Sequence, residues 1–155
     1  MIYYFSGTRN SRYAASRIGS LIEEDVRFIP ALDAYAETID LSQDDSVGFV
    51  FPVYAWGVPP IVMDFIRRLP EAFVQAVRNG NLPVWCVATC GDETGMAVKM
   101  LRKELARRDL ELSGAWSLIM PNVYVLLPGF GTDPNELEVR KVTEAVGGIT
   151  HNAGG

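Results

Sequence analysis

Four small polar side chains, Ser6, Thr8, Asn10 and Ser11, crowd one short stretch near the start of the chain, with Gly7 and Arg9 between them. Hydroxyls and a carboxamide supply neutral hydrogen-bond donors, and a glycine lets backbone approach a ligand closely. The stretch follows the apolar run MIYY, so it joins a strand to whatever comes next. If that is a helix, its first turn adds unpaired N–H groups and the positive end of a dipole, which together cradle a phosphate without any lysine. The competing reading is a turn in which Thr8 or Asn10 merely caps the helix. SGTRNS is not a Walker loop, since no GK[ST] follows, and it holds no GxGxxG. A mononucleotide therefore suits it better than ATP or a dinucleotide.

Two further groups carry chemistry. Tyr54 and Trp56 flank the small Ala55, with Gly57 and the rigid Pro59-Pro60 behind them. Two aromatics in one loop sandwich a flat ring, each stack contributing about 1 kcal/mol beyond area burial. The other explanation is ordinary surface or interface aromatics. In TCGDETG, Gly91 permits close backbone approach, and Asp92 either caps the next helix or accepts a hydrogen bond from a ring N–H. Cys90 borders this group, but no histidine lies near it in sequence, and His151, the only one, is in the C-terminal tail. No catalytic nucleophile is assigned. Cys86 and Cys90 sit four apart, a spacing of neither a common zinc site nor a redox CxxC, and read as reduced thiols. No metal site is expected.

The elements that position these groups alternate. Ile2–Phe5, Val26–Ile29, Val47–Val53, Leu82–Thr89 and Leu112–Met120 are apolar runs of strand length. Between them fall amphipathic helices. Ala14, Ile18, Leu21 and Ile22 mark the first, and Ile61, Phe65 and Leu69 mark one that opens on Pro59-Pro60. A short helix spans Glu71–Arg78. Ala97, Met100, Leu101 and Leu105 mark another helix, with Lys99, Arg102, Lys103, Arg107 and Arg108 on its solvated face. Asp133-Pro134 opens the last helix, which is expected to end near Val146, leaving GGITHNAGG loose. Residues 31–46 show too little periodicity to assign. Buried strands linked by helices imply a parallel sheet covered on both faces, and five strands favour the α/β order 2-1-3-4-5. Residues 1–147 then form one domain and 148–155 a flexible tail. Ligands of such sheets bind beyond the carboxyl ends of the strands, where the strand order reverses. The three polar loops all lie there.

Composition sets the outer limits. With 155 residues, 48% hydrophobic and 21% charged, the chain supports one folded core. A net charge of −5 with scattered basic residues argues against a nucleic-acid partner and favours basic protein partners. No run reaches the roughly 18 apolar residues of a membrane span, and no signal peptide opens the chain, so no membrane partner and a cytoplasmic location are expected.

Ser6-Gly7-Thr8-Arg9-Asn10-Ser11 resembles the flavodoxin phosphate loop [ST]-x-T-G-x-[ST], except at Arg9. Over nearly the whole chain, IYYFSGT, GFVFPVYAWGVPP, ATCGDETG and MPNVYVLLPGF are similar to the flavodoxin domain of bacterial flavodoxin–ferredoxin fusions. The resemblance implies a flavodoxin-like three-layer sandwich that binds flavin mononucleotide (FMN). The cofactor residues it implies are Ser6, Gly7, Thr8, Arg9, Asn10 and Ser11, then Pro52, Val53, Tyr54, Ala55, Trp56 and Gly57, and finally Thr89, Cys90, Gly91 and Asp92. Asp92 or Glu93 near the ring would lower its potential, and Tyr124 would close over the ring edge. Two departures stand out. Arg9 replaces the usual glycine and would be strained if that position needs a positive φ. Two cysteines cannot ligate a four-iron cluster, so electrons come from a separate redox protein such as a ferredoxin or a reductase, or from residues beyond Gly155. The expected function is electron transfer. The alternatives are an FMN-dependent NAD(P)H:quinone-type oxidoreductase, or a flavin-free binding module using the same cleft.

Overall fold

The computed structural model of the chain describes residues 1–6, 9–32, 44–53, 57–90, 95–119 and 134–154, with backbone alone at 9, 10, 90, 95, 119, 134–138 and 150–154. Five strands are β1 (Ile2–Tyr4), β2 (Val26–Phe28), β3 (Val47–Pro52), β4 (Val84–Cys90) and β5 (Leu112–Ile119). The α-helices among the described residues are α1 (Arg9–Ile22) after β1, α2 (Pro60–Arg68) and α3 (Glu71–Asn79) between β3 and β4, α4 (Gly95–Ala106) before β5, and α5 (Pro134–Gly154) after it. The sheet has the expected order β2-β1-β3-β4-β5, and every pair is parallel. This is the flavodoxin-like α/β sandwich.

Strand residues alternate between two apolar layers because successive side chains point to opposite faces. Tyr3, Phe49, Phe51, Cys86 and Ala88 pack with residues of α2, α3 and α4. Ile2, Val50, Trp85 and Val87 pack with residues of α1 and α5. All six residues of β3 are buried, as a central parallel strand requires.

Proline sets the helix boundaries on the first face. Pro60 stands in the first turn of α2, where its missing N–H costs nothing. Leu69 precedes Pro70 and is extended, with φ −58 and ψ 134, so α2 ends before it although the apolar spacing includes it. The carbonyls left open at that end are taken by Arg108, which donates to the oxygens of Ile66 at 2.8 Å and Leu69 at 2.6 Å. Arg108 is thus drawn inward, while Lys99, Arg102, Lys103 and Arg107 are exposed as expected. Beside it, Arg67 grips the buried Glu104 with two hydrogen bonds of 2.8 and 3.2 Å, joining α2 to α4.

Further sequence expectations change. Ile29, read as the end of the second strand, begins a 3₁₀ turn, Ile29–Ala31, that carries Pro30. Leu21, counted with the core stripe of α1, is exposed. Helix α5 continues through Gly147 and Gly148 to Gly154, past the expected end at Val146.

Candidate functional site

Strands β1 and β3 are neighbours from which the chain departs toward opposite edges of the sheet, so the strand order reverses between them. At the carboxyl ends of β1, β3 and β4 lie the three loops singled out by sequence. The ends are held in register: Tyr4 pairs with Val50, Pro52 pairs with Thr89, and the Val53 N–H donates to the Thr89 carbonyl at 3.0 Å.

In the first loop, Ser6 follows β1, and its Oγ is buried with no hydrogen-bond partner among the described residues. Leaving a buried hydroxyl unpartnered costs about 1–3 kcal/mol, so the position is not one that stability alone selects. Gly7 and Thr8 lie outside the described residues. Arg9 is the first residue of α1 and has helical backbone. Positive φ at non-glycine residues occurs, among those described, at Glu23, Asn81 and Asp109. The strain expected of Arg9 is therefore not present, and a guanidinium-bearing residue begins the helix instead. Asn10 is the second residue of α1.

Ser11, the third residue of α1, is fully buried, and its Oγ lies 2.7 Å from the Oγ1 of Thr89, near the end of β4. The sequence named Ser11 as a phosphate-loop donor and Thr89 through the flavodoxin resemblance, but gave no sign that they touch. The bond fastens the first loop's helix to the strand that feeds the third loop. Two hydroxyls own two hydrogens and spend one on each other, so the pair keeps one to donate elsewhere.

In the second loop, Pro52 ends β3, Val53 is half-buried, and Gly57 is buried in an isolated β-bridge. Tyr54, Ala55 and Trp56 lie outside the described residues. In the third loop, Thr89 is buried and Cys90 ends β4, whereas Gly91, Asp92 and Glu93 fall outside, as does the segment 120–130 with Tyr124. The structure thus brings Ser6, Ser11, Pro52, Val53, Gly57 and Thr89 to one edge of the sheet.

The other chemistry-bearing residues stand apart. Burial pushes the Cys86 thiol up to about 12, which keeps it protonated and inert. A cavity of about 250 Å³ opens among Arg78, Asn81, Asp109, Glu111 and Ser113 at the opposite edge, and shares no residue with the candidate loops. Among the described residues, no helix is long and apolar enough to cross a membrane.

No protein-family model matches this chain, and no curated protein matches it. Solved structures do. Rubredoxin oxygen:oxidoreductase from the anaerobe Desulfovibrio gigas superposes with a TM-score of 0.67 at 14% identity over 98% of this chain. The chain spans only 36% of that protein's length. The two-electron reduced flavodoxin of Megasphaera elsdenii has a TM-score of 0.53 at 15% identity, covering 79% of this chain and 89% of its own. A flavoprotein from Lactobacillus acidophilus NCFM, solved in complex with FMN, has a TM-score of 0.53 at 14% identity, covering 75% and 90%. At such identities the likeness is one of fold.

Proposed function

We propose that the chain is a flavodoxin-like electron-transfer protein that binds FMN noncovalently at the carboxyl edge of β1, β3 and β4 and exchanges electrons with separate redox proteins. Residues 1–147 would form the binding domain. The observation that carries the reading is the buried hydroxyl of Ser6, without a partner among the described residues and placed just before α1 where an anion is favoured. Support for FMN in particular comes from the Lactobacillus acidophilus neighbour, whose structure contains it. The donor set fits a phosphate ester: hydroxyls and amides at a helix mouth, with Arg9 adding positive charge in the first turn.

When bound, FMN supplies one- and two-electron redox chemistry. The chain's own residues bind and orient it. Ser6, Gly7, Thr8, Arg9, Asn10 and Ser11 would hold the phosphate, and the Ser11–Thr89 bond fixes that loop against the end of β4. Pro52, Val53, Tyr54, Ala55, Trp56 and Gly57 would line one side of the ring, and Thr89, Cys90, Gly91 and Asp92 the other, excluding water from it.

Titration of the flavin-free chain with FMN, followed by fluorescence, tests the assignment. Thr8→Ala should weaken binding by about 1–2 kcal/mol through one lost phosphate hydrogen bond, and Trp56→Ala should weaken it by removing a stacking face. Equal affinity in wild type and both variants, or no binding at all, overturns the reading. Steady oxidation of NAD(P)H by the loaded chain would replace the shuttle with a reductase.

A further inference from the structure

The helices α2 and α4 start immediately after the second and third candidate loops, so their first turns stand beside the proposed flavin edge. Apolar spacing assigns Ile61 of α2 and Met100 of α4 to the core, yet they are 38% and 37% exposed, and Met96 is 58% exposed. The buried stripe of α4 is Ala97, Leu101, Glu104 and Leu105. Opposite it, Met96, Lys99, Met100 and Lys103 recur at the one-face spacing of a helix, and all four are exposed. This outer stripe alternates methionine with lysine. An unbranched thioether side chain adapts to varied partners, which suits an interface more than a solvated face.

The charge of this face is opposite to that of the whole chain. The two helices carry Arg67, Arg68, Lys99, Arg102 and Lys103 against the acids Asp64 and Glu104. Both acids are already engaged, Asp64 by Arg68 at 3.0 Å and Glu104 by Arg67 and Arg107. At physiological ionic strength, screening cuts off interactions beyond roughly 8 Å, so a docking partner responds to the local lysines and not to the distant net charge of −5.

We propose that Met96 and Met100, alternating with Lys99 and Lys103 along the outer face of α4, form the docking surface for an acidic electron-transfer protein. The proposal rests on the flavin reading above for the identity of the partner's trade, and on charge and exposure for its sign and place. It reverses the basic partner that net charge alone implies. Lysines steer encounter and set its salt dependence, and the methionines make the desolvated contact at the centre.

Titrating the isotope-labelled chain with an acidic plant-type [2Fe–2S] ferredoxin, and separately with basic cytochrome c, decides it by amide shifts. Ferredoxin should move or broaden the signals of residues 96–103 at low salt, and about 0.5 M salt should abolish the effect. The double variant Lys99→Glu/Lys103→Glu should weaken ferredoxin binding at least tenfold while keeping a dispersed, folded spectrum, and Met96→Gln should weaken it about threefold with unchanged salt dependence. Unmoved signals at this face, equal affinity after charge reversal, or tighter seating of cytochrome c on the same residues each overturns the proposal. The titration is run with and without FMN. A chain that takes up no flavin refutes the function proposed above, whereas the shifts still report whether this face docks an acidic protein.

Discussion

The two ends of the sheet treat buried polar groups in opposite ways. At the amino edge, the Met1 ammonium contacts Glu24 and donates to the Ser46 carbonyl at 2.9 Å. Glu24 accepts from the Asp45 N–H and the Ser46 hydroxyl, and the Trp85 indole N–H donates to that same hydroxyl at 2.9 Å. Burial still pushes the Glu24 carboxyl up, against the lowering pull of the ammonium and the Asp45 N–H. Polar groups there satisfy one another. At the carboxyl edge, Ser6 keeps a buried hydroxyl without a described partner, and the two hydrogens of Ser11 and Thr89 exceed the one that their mutual bond uses. A closed network holds a fold together, whereas open valence in a buried place costs stability and is retained where a ligand completes it.

The contrast breaks most visibly at Trp85. Its ring is fully buried and lies over Gly48, where an added Cβ would fall 2.1 Å from Cζ2. Trp85→Ala leaves a cavity and removes the hydrogen bond donated to the Ser46 hydroxyl, so it should lower unfolding free energy by about 3–5 kcal/mol in denaturant titration. FMN affinity of the fraction still folded should change little, since the ring belongs to the closed end. A variant that kept full stability but lost FMN would invert the assignment of the two ends.

The sequence foretold the elements better than their contacts. The uninterrupted apolar run of β3 and the Pro59-Pro60 pair were legible because burial on both faces and a fixed φ leave marks in the residue types themselves. Leu69 misled because apolar spacing continued past the point where the following proline excludes helical backbone. Ile61 and Met100 misled for another reason: spacing tells which side of a helix is apolar, but not whether a neighbour exists at that height. At the site, Ser6 and Ser11 were named from their types and Thr89 from the flavodoxin resemblance. The bond between Ser11 and Thr89 joins positions 78 apart and left no local signal. Ser11 was expected to serve the phosphate alone, and the structure gives it a second duty of tying two loops together.

Ser6→Ala sharpens the comparison with a smaller effect. If the hydroxyl awaits a phosphate, the variant should lose about 1.5–3 kcal/mol of FMN affinity, the range for a hydrogen bond to a charged group. Stability of the flavin-free protein should stay level or rise, because a buried donor without a partner is removed. Opposite signs on the two measurements distinguish a binding group from a structural one. Loss of apo stability with unchanged FMN affinity would place Ser6 with the closed network instead.

The smallest effect belongs at the end of α5. Ile149 is half-buried and packs against the cluster that contains Val139, Val142 and Val146, while added Cβ atoms at Gly147 and Gly148 would meet nothing within 4 Å. Truncation after Ile149 should leave the unfolding midpoint unchanged if residues beyond it add no core. Truncation after Gly148 should cost about 1 kcal/mol, roughly half the value of a fully buried isoleucine. A larger loss from the first truncation than from the second step would mean that helical residues past 149 anchor the domain, and the boundary proposed at residue 147 would move to the end of the helix.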